Sequence, residues 1–295
     1  MDKKHVLIVS NRTKDESFTT TKEVITYLLK CGVEVYIEEE LAEVFPLLSN
    51  ITRETKIDFV VILGGDGTFI DTLHRYFDRN YKYFGINLGR VGCLMEASPN
   101  NYQEKLLKIL KGEYTLEKRS VISYTLHNKD AVIVGGVAFN EVNIERGKLF
   151  KMLKINMHIN NHNKTSFFAD GVIVATSTGS SAFNLSSGGP LLTPTAKSFV
   201  ITPLCPQSRS ITSLIVNDSD EITLDVNDYF LTLNAENDKP VMVIDGRWMK
   251  ELNYNDILKI EKSLNELSII KVNNESSLFE SSFKVAISNQ DFFNK

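Results

Sequence analysis

The sequence predicts a protein of two domains, an α/β domain built on a parallel sheet and a mostly β domain that follows it. Strand and helix signals alternate through the first hundred residues, and period-2 alternation of apolar and polar residues dominates the region 115–272. Strands that alternate with helices favour a parallel sheet with right-handed crossovers, whereas period-2 alternation favours antiparallel sheets with one polar face. The length of 295 residues is usual for two domains.

The N-terminal region contains the individual signals of the α/β domain. Four apolar runs are predicted as strands: HVLIV, VEVYI, IDFVVIL and KYFGINL. Three segments have the apolar spacing of helices: TTTKEVITYLLKCG, FIDTLHRYF and YQEKLLKILKG. For the first helix, Thr19 to Thr21 offer cap oxygens at the N-terminus, and Gly32 can adopt the left-handed conformation that ends a helix.

The C-terminal region has the pattern of half-buried strands. In LKINMHIN and EITLDV, apolar residues alternate with polar ones, and we expect at least eight strands in this region. Turn residues in ASPNNY place the domain boundary beside residue 98. The predicted domains are therefore an α/β domain over 1–98 and a β-rich domain over 99–272. The tail 273–295 carries apolar residues and is expected to pack back on the first domain.

The composition limits the partners and the compartment. The formal net charge of −4 gives no reason to expect nucleic acid or an anionic membrane as a partner. No apolar run in the sequence approaches the roughly 20 residues of a membrane-spanning helix, and the apolar run at the N-terminus is too short for a signal peptide. The three cysteines lie far apart, which argues against a disulfide framework or a zinc ribbon and favours a reducing cytoplasm.

The stretch VVILGGDGTFIDTL, residues 60–73, leads a buried strand into a glycine turn that carries one acid. Glycines after a strand let the backbone approach a ligand closely, and the N-terminus of the next helix presents free N–H groups to a phosphate. We therefore predict a phosphate loop that includes Gly64, Gly65 and Thr68. Asp66 would repel phosphate, so it fits a general base for a hydroxyl or a ligand for Mg²⁺. The alternative role for Asp66 is a cap on the following helix.

A second glycine-rich stretch, FFADGVIVATSTGSSAFNLSSGGPLLTP, occupies residues 167–194. Its hydroxyls and backbone N–H groups fit phosphate, ribose and base edges, which they can distinguish by hydrogen bonding. The hydroxyl residues are Thr176, Ser177, Thr178, Ser180 and Ser181. The alternative is a Ser/Thr-rich surface loop, which the strongly apolar flanks disfavour.

Two other patterns carry little chemistry. His158 and His162 have the spacing of metal ligands on a helix, but they lie in a predicted strand and turn, where residues four apart are separated by about 13 Å. We therefore assign no metal ligands. The Lys and Arg residues along 105–119 are expected to form a solvated face.

Five motifs together resemble one known family. They are GGDGT (64–68), GINLGRVGCLMEA (85–97), FNEVNIERG (139–147), ADGVIVATSTGSSAFNLSSGGPLLTP (169–194) and ITPLCPQS (201–208). In order and spacing they resemble the motifs of NAD kinases, and the resemblance covers nearly the whole chain. GGDGT alone also occurs in lipid kinases of the diacylglycerol and sphingosine type, which resemble this chain only around that motif.

The resemblance implies roles for individual residues. Asp66 matches the catalytic aspartate, which accepts the proton of the 2′-hydroxyl on the adenosine ribose of NAD. Asn140 and Glu141 match a pair that binds NAD near the ribose and nicotinamide end, and the segment 181–186 matches the part around the adenine. The full implied NAD-binding set is Asp66, Gly67, Asn140, Glu141, Lys151, Asp170, Ser181, Ala182, Phe183, Asn184, Leu185, Ser186 and Arg247.

The resemblance also implies a fold, a reaction and an assembly. The fold would be a Rossmann-like parallel α/β domain and a β-rich domain with the site between them. The reaction would transfer the γ-phosphate of ATP to the 2′-hydroxyl of NAD and give NADP, with Mg²⁺ as cofactor, and the assembly would be a homodimer or a homotetramer. The alternatives are a lipid or sugar kinase that shares GGDGT, and a sensor that binds NAD without turnover.

The chain departs from the usual family pattern in several places. Where the family commonly reads Thr-Pro-Thr-Gly-Ser-Thr-Ala-Tyr-Ser, residues 176–184 read TSTGSSAFN. Ser177 in place of proline is expected to loosen the loop by restoring φ freedom, and Phe183 keeps an aromatic face without a phenol hydroxyl. Cys93 and Gln207 stand where Phe and His are common. We expect these changes to affect affinity and donor choice more than the reaction itself.

Overall fold

The chain divides into two compact units. The first comprises Met1–Lys118 and the C-terminal segment that begins at Leu267, and the second comprises Arg119–Glu266. The structure is a computed structural model and describes residues 3–89, 92–128, 131–147, 152–160, 162, 164–227, 239–253 and 256–272. The tail 273–295 lies outside these residues, so its packing stays a prediction.

The division falls later than the predicted boundary at residue 98. The chain after ASPNNY still belongs to the first unit, because a helix over Tyr102–Leu110 buries its apolar face in that unit's core. A strand over Thr115–Arg119 then forms the edge of the first unit's sheet. The proline and asparagines therefore mark a turn inside a domain rather than a link between domains.

The first unit combines strands with the three longer helices, and the second is built mainly from strands. The α-helices are α1 (Thr19–Lys30), α2 (Asp66–Tyr76), α3 (Tyr102–Leu110) and α4 (Phe183–Ser186), and 3₁₀ turns cover Glu39–Leu41, Phe77–Arg79 and Gly179–Ser181. The strands are β1 (His5–Ser10), β2 (Glu34–Ile37), β3 (Ser49–Asn50), β4 (Phe59–Gly64), β5 (Lys82–Asn87), β6 (Thr115–Arg119), β7 (Ile122–Asn128), β8 (Ala131–Ala138), β9 (Glu141–Glu145), β10 (Leu153–Ile159), β11 (Thr165–Ala169), β12 (Gly171–Ala175), β13 (Ser198–Leu204), β14 (Leu214–Asn217), β15 (Ile222–Asn227), β16 (Val241–Ile244), β17 (Trp248–Glu251), β18 (Asp256–Lys262) and β19 (Leu267–Lys271).

The first unit contains a mostly parallel sheet of seven strands. Its order is β3-β2-β1-β4-β5-β19-β6, and the neighbours from β3 through β19 pair in parallel. The order reverses between β1 and β4, because β2 and β3 lie on one side of β1 and β5 lies beyond β4. The carboxyl ends of strands at such a reversal form the crevice in which open α/β sheets bind ligands. The predicted α/β domain is confirmed, and GGDGT directly follows one of these two strands.

The second unit contains two antiparallel sheets of six strands each. Their orders are β11-β10-β15-β18-β7-β8 and β14-β13-β12-β9-β16-β17. Burial alternates along strands such as β7 and β18, so the inward side chains form one apolar core and the outward ones face water. The predicted mostly β domain is confirmed, with more strands than the minimum of eight that the sequence indicates.

The start of α1 differs from the prediction. Asp15 supplies the cap in place of Thr19 to Thr21, because its Oδ2 accepts hydrogen bonds from the Thr21 N–H at 2.8 Å and the Thr21 hydroxyl at 2.7 Å. Phe18 leads into the helix through a left-handed conformation with φ of 51°. The predicted helix end is confirmed, since Gly32 is left-handed with φ of 77°.

Candidate active site

The GGDGT turn lies where β4 ends and α2 begins, beside the reversal between β1 and β4. Gly64 has no room for a side chain, because a Cβ there would lie 2.4 Å from the Thr68 hydroxyl oxygen. That oxygen accepts a hydrogen bond from the Asn11 amide at 2.8 Å, which ties the turn to the loop after β1. A Cβ on Gly65, by contrast, would have no neighbour within 4 Å among the described residues. The backbone at Gly65 is therefore open to close approach by a ligand.

Asp66 is the first residue of α2, and its carboxylate faces a neighbouring loop. Oδ2 accepts a hydrogen bond from the Cys93 N–H at 2.7 Å, and Oδ1 accepts one from the Leu94 N–H at 3.1 Å. Gly92 allows this contact, because a Cβ there would lie 2.3 Å from Oδ1. The N-cap of α2 is Gly65, and no side-chain cap hydrogen bond is present there. Asp66 therefore does not cap the helix with its side chain, and backbone groups hold its carboxylate in one orientation.

Two departures from the family pattern have structural explanations. Cys93 holds Asp66 through its backbone N–H, which does not depend on the side chain, so a Cys can replace a Phe without loss of this contact. Ser177 is buried, and its hydroxyl donates a hydrogen bond to the Pro194 carbonyl at 2.8 Å. The expected loosening at Ser177 is therefore offset by a tether that proline could not make.

The hydroxyl-rich loop after β12 is folded inwards. The Thr176 hydroxyl donates a hydrogen bond to the Phe139 carbonyl at 2.6 Å and accepts one from the Gly179 N–H at 3.0 Å. The Ser180 hydroxyl donates to the Ser177 carbonyl at 2.8 Å. The residues of this loop whose side chains are buried are Thr176, Ser177, Thr178 and Ser180. The expectation that the hydroxyls of this loop face a ligand is therefore not met for Thr176, Ser177 and Ser180, which fix the shape of the loop instead. The Thr178 hydroxyl oxygen accepts a hydrogen bond from the Arg119 guanidinium at 3.3 Å.

Gly179 lets this loop lie directly on the start of β9. A Cβ at residue 179 would lie 2.0 Å from the Asn140 carbonyl oxygen, which is a backbone atom that a rotamer change cannot move. The same carbonyl accepts a hydrogen bond from the Thr176 N–H at 2.8 Å. The loop and the Asn140–Glu141 pair are thus packed together as one element.

Asn184 has a structural role within the segment predicted to contact adenine. Its side chain is fully buried, its amide donates to the Ser180 and Pro190 carbonyls, both at 3.0 Å, and its oxygen accepts the Thr202 hydroxyl at 2.7 Å. The amide is therefore occupied within the protein. The other members of the segment keep part of their surface exposed: Ser181, Ala182, Phe183, Leu185 and Ser186.

Glu141 and Asp245 form a buried pair of acids at the start of β9. Asp245 Oδ1 accepts hydrogen bonds from the Asn140 N–H at 2.7 Å and the Glu141 N–H at 3.1 Å. Burial and the negative charge of Asp245 raise the pKa of Glu141 to about 8, although a hydrogen bond from the Phe183 backbone opposes the shift. Glu141 Oε2 is buried and has no hydrogen-bond partner within the described part of the chain. A carboxyl that is neutral near pH 7 can donate a hydrogen bond, which a carboxylate cannot do.

Glu141→Gln is expected to remove a pH dependence of stability. Because the pKa of Glu141 rises from 4.5 to about 8 on folding, the folded state binds this proton more tightly than the unfolded chain does. The resulting stabilisation is complete below the unfolded pKa and is lost as the pH rises through the folded one, by about 1.4 kcal/mol per pH unit for a single group. Urea unfolding at a series of pH values between the two pKa values measures this slope.

The control for this measurement is Glu251→Gln, which makes the same chemical change at an exposed residue of β17. The Glu141→Gln variant should lose less stability than the wild type as the pH rises, and the Glu251→Gln variant should follow the wild type. Equal slopes for all three proteins would contradict a neutral Glu141.

The remaining predicted residues are placed as follows. Asp170 forms an ion pair with Arg146, with 2.9 Å between Oδ1 and the guanidinium nitrogen, and both side chains are partly exposed. Arg247 is exposed and lies in the turn between β16 and β17, and partial burial of the guanidinium lowers its pKa. Lys151 lies outside the described residues.

Sequence reasoning missed Asp245 and Gly179. The signal for Asp245 is the Asp-Gly pair between β16 and β17, which is typical of a tight hairpin turn; Asp245 and Gly246 both have positive φ, at 50° and 64°. That signal predicts the turn, but it does not show that the carboxylate accepts hydrogen bonds from N–H groups more than a hundred residues earlier.

The helices in the part of the chain that the structure describes include none with the length and apolar character of a membrane span.

The fold and the site define a class of protein. Backbone N–H groups orient an acid at the carboxyl end of β4, beside the reversal in strand order where open α/β sheets bind nucleotides and other ligands. A model of the ATP-NAD kinase N-terminal domain matches residues 6–114, and one of the ATP-NAD kinase C-terminal domain matches residues 139–272. The NAD kinase of Thermoanaerobacter sp. strain X514 is 36% identical over 275 residues, 92% of this chain and 95% of that protein. The chain belongs to the NAD kinase family.

Solved structures agree with this assignment. Yeast NADH kinase complexed with NADH has a TM-score of 0.83, with 21% identity, over 95% of this chain and 86% of that one, which supports the fold. An NAD kinase from Archaeoglobus fulgidus in complex with ATP has a TM-score of 0.70, with 26% identity, over 96% of this chain and 98% of that one. The family inferred from the motifs is confirmed, and the lipid or sugar kinase and the NAD sensor are not favoured.

Proposed function

We propose that the chain transfers the γ-phosphate of ATP to the 2′-hydroxyl of the adenosine ribose of NAD, with Asp66 as the proton acceptor. The observation that carries the proposal is the Asp66 carboxylate, which two backbone N–H groups orient at the carboxyl end of β4. Membership of the family supports NAD as acceptor and ATP as donor. The ATP complex of the Archaeoglobus fulgidus NAD kinase supports the same donor.

The chain's own residues bind and orient the reactants in this reaction. Each carboxylate oxygen can accept more than one hydrogen bond, so an Asp66 oxygen that accepts an N–H can also accept the ribose hydroxyl. As the 2′-oxygen attacks the γ-phosphorus, its proton passes to Asp66, and the bond from that phosphorus to the bridging oxygen breaks and releases ADP. Gly64, Gly65 and Thr68 provide the turn near which phosphates lie. Most of the rate enhancement comes from positioning and charge neutralisation.

Mg²⁺ is proposed as a cofactor that arrives with the donor nucleotide. Within the described ranges, no group of three His, Cys, Asp or Glu side chains could hold a metal ion. These residues therefore do not fit a dedicated protein cage, and we assign no protein ligands. Mg²⁺ commonly keeps several waters and binds through substrate phosphates, where it would neutralise their charge.

We propose that residues of the second unit supply the other contacts with NAD. Phe183 is 39% exposed and offers an aromatic face on which a base can stack. Glu141, with its pKa raised to about 8, offers a neutral carboxyl as a hydrogen-bond donor. Beside Asp66 and Gly67 of the first unit, the complete proposed set is Asn140, Glu141, Lys151, Asp170, Ser181, Ala182, Phe183, Asn184, Leu185, Ser186 and Arg247.

The compartment and the assembly are also proposals. Three widely separated cysteines suit a reducing cytoplasm, and we place the protein there. The family resemblance supports a homodimer or a homotetramer. Sedimentation equilibrium on the purified chain measures the assembly, and a monomer at micromolar concentration would contradict it.

The test of the reaction is an assay of NADP formed by purified protein with NAD, ATP and Mg²⁺. We expect NADP that depends on all three components. A parallel assay with diacylglycerol and sphingosine addresses the lipid-kinase alternative, and calorimetry with NAD addresses the sensor. NAD binding without NADP formation from any triphosphate or polyphosphate would overturn the proposal in favour of the sensor.

A further inference from the structure

A buried ion triad lies at the end of the loop that holds Asp66. The Glu96 side chain is 7% exposed and lies between two lysines that are almost as buried. Lys105 Nζ lies 3.3 Å from Glu96 Oε1, and Lys271 Nζ lies 3.1 Å from Oε2. The Glu96 carboxylate also accepts the Val272 N–H at 3.2 Å. The loop, the helix α3 that follows it and the distant strand β19 thus meet at one carboxylate.

The contacts at Glu96 hold the backbone of this residue as well as its carboxylate. Lys105 Nζ also donates a hydrogen bond to the Glu96 carbonyl. On the other side, the N–H groups of Glu96 and Ala97 donate to the Gly85 carbonyl at 2.9 and 3.0 Å, and the Asn87 N–H donates to the Ala97 carbonyl at 2.8 Å. The end of the loop is therefore fixed between β5 and the two lysines.

The fixed end lies close to the groups that orient the catalytic carboxylate. Leu94 is two residues before Glu96, and the N–H groups of Cys93 and Leu94 donate to Asp66. One residue spans at most about 3.6 Å of chain, so the two-residue step from Leu94 to Glu96 cannot absorb a large movement. A displacement of Glu96 therefore also displaces the Cys93 and Leu94 N–H groups. The segment 92–97 therefore transmits the position of the triad to Asp66.

A buried triad of charges is a weak source of stability. The cost of removing charges from water offsets much of their attraction, and apolar residues of similar volume often stabilise a protein as well or better. Such groups are better suited to fixing one geometry, because a charged pair with short contacts tolerates less displacement than an apolar contact. At this position the geometry in question is that of the 92–97 segment.

We propose that Glu96, Lys105 and Lys271 are positioning residues for phosphoryl transfer, which hold the 92–97 segment so that its N–H groups orient the Asp66 carboxylate. The proposal rests on the role of Asp66 given above. None of the three residues contacts a reactant in this scheme. They act through the backbone of Cys93 and Leu94.

The first variant is Lys105→Met, with Lys108→Met as its matched control. Both lysines lie on α3, but Lys108 is partly exposed and pairs with Glu104 at 2.7 Å on the surface. We expect Lys105→Met to lower kcat by about 10- to 100-fold with little change in the KM for NAD, since a misplacement of about 1 Å is enough for such a loss. Lys105→Arg, which keeps the charge, should recover part of the activity, and Lys108→Met should match the wild type.

A double-variant comparison separates positioning from a general loss of structure. In the Asp66→Asn background there is no carboxylate to orient, so Lys105→Met should lower the residual kcat no further. A decrease in kcat by the same factor in both backgrounds would overturn the proposal. Lys271→Met repeats the comparison from β19 if Lys105→Met does not fold.

Amide hydrogen exchange of Cys93 and Leu94 tests the triad without any assay of activity. Both N–H groups should exchange faster in Lys105→Met than in Lys108→Met or the wild type, because the segment that presents them is released. Unchanged exchange would overturn the positioning role even if the protein is an active NAD kinase. Faster exchange in a protein that makes no NADP would overturn the proposed reaction and leave the triad as the anchor of the loop.

Discussion

Asp66→Asn is expected to lower kcat for NADP formation by about 10²- to 10⁴-fold, the usual loss when a general base is removed, while NAD still binds. Asn keeps the size of Asp but cannot accept the ribose proton. It also has one acceptor oxygen in place of two, so the Cys93 and Leu94 N–H groups can no longer both be satisfied by separate oxygens of residue 66. A modest loss of stability, about 1–3 kcal/mol, should accompany the loss of activity.

The measurement pairs steady-state kinetics with calorimetric titration of NAD. The matched control is Asp78→Asn, which makes the same change at an exposed residue shortly after α2, and it should keep wild-type kinetics. Full activity in Asp66→Asn would reject the assignment of the base. Loss of NAD binding in that variant alone would show that Asp66 acts mainly in binding.

Gly179→Ala is expected to disrupt the second unit's part of the site, because the added methyl group would clash with backbone atoms of Asn140. The added Cβ would lie 2.0 Å from the Asn140 carbonyl oxygen and 2.4 Å from its carbon, so the loop and the start of β9 must separate. Overpacking of this kind lowers the free energy of unfolding by about 1–3 kcal/mol, and here we expect the upper end because both partners are backbone. Affinity for NAD should fall as well, since Asn140 and Glu141 move with the strand.

The control for Gly179→Ala is Gly188→Ala. Gly188 has φ of 81°, and its added Cβ would meet no described atom within 4 Å. The free energy of unfolding of that variant should fall by about 1–2 kcal/mol from the left-handed conformation alone, and its affinity for NAD should be unchanged. Thermal unfolding and NAD titration of both variants measure the two effects, and equal affinities would argue that the loop does not set the geometry of Asn140.

Local patterns were sufficient to predict most of the secondary structure. The helix α1 and its end at Gly32 follow from short-range spacing, and so do the buried run of β4 and the alternation along β10 and β15. Each of these depends on residues that are close in sequence. The domain boundary could not be predicted in the same way, because the place of α3 depends on which core covers its apolar face.

The site was predicted only in part, because its local features are visible in the sequence and its long-range contacts are not. Asp66 could be singled out because a glycine turn with one acid is unusual in itself. The motif over 85–97 was recognised too, but nothing local to it shows that the Cys93 and Leu94 N–H groups hold the Asp66 carboxylate. Lys105 was expected on a solvated face, yet it is buried against Glu96, a long-range contact site that Lys271 of β19 shares. The hydroxyls of the second motif were likewise predicted to contact a ligand, because the sequence does not show which backbone carbonyls accept their hydrogen bonds.

The place of β19 in the first sheet has a consequence for how the protein is made. This strand lies between β5 and β6, although residues 120–266 separate it from β6 along the chain. While the ribosome makes those residues, β5 and β6 lack their common neighbour and β5 presents unpaired N–H and carbonyl groups, a state in which strands can pair wrongly. The first unit can therefore complete its sheet only after the second has been translated. A nascent chain that stops after Lys118 would depend on chaperones to keep the unpaired edge of β5 from pairing with a strand of another chain.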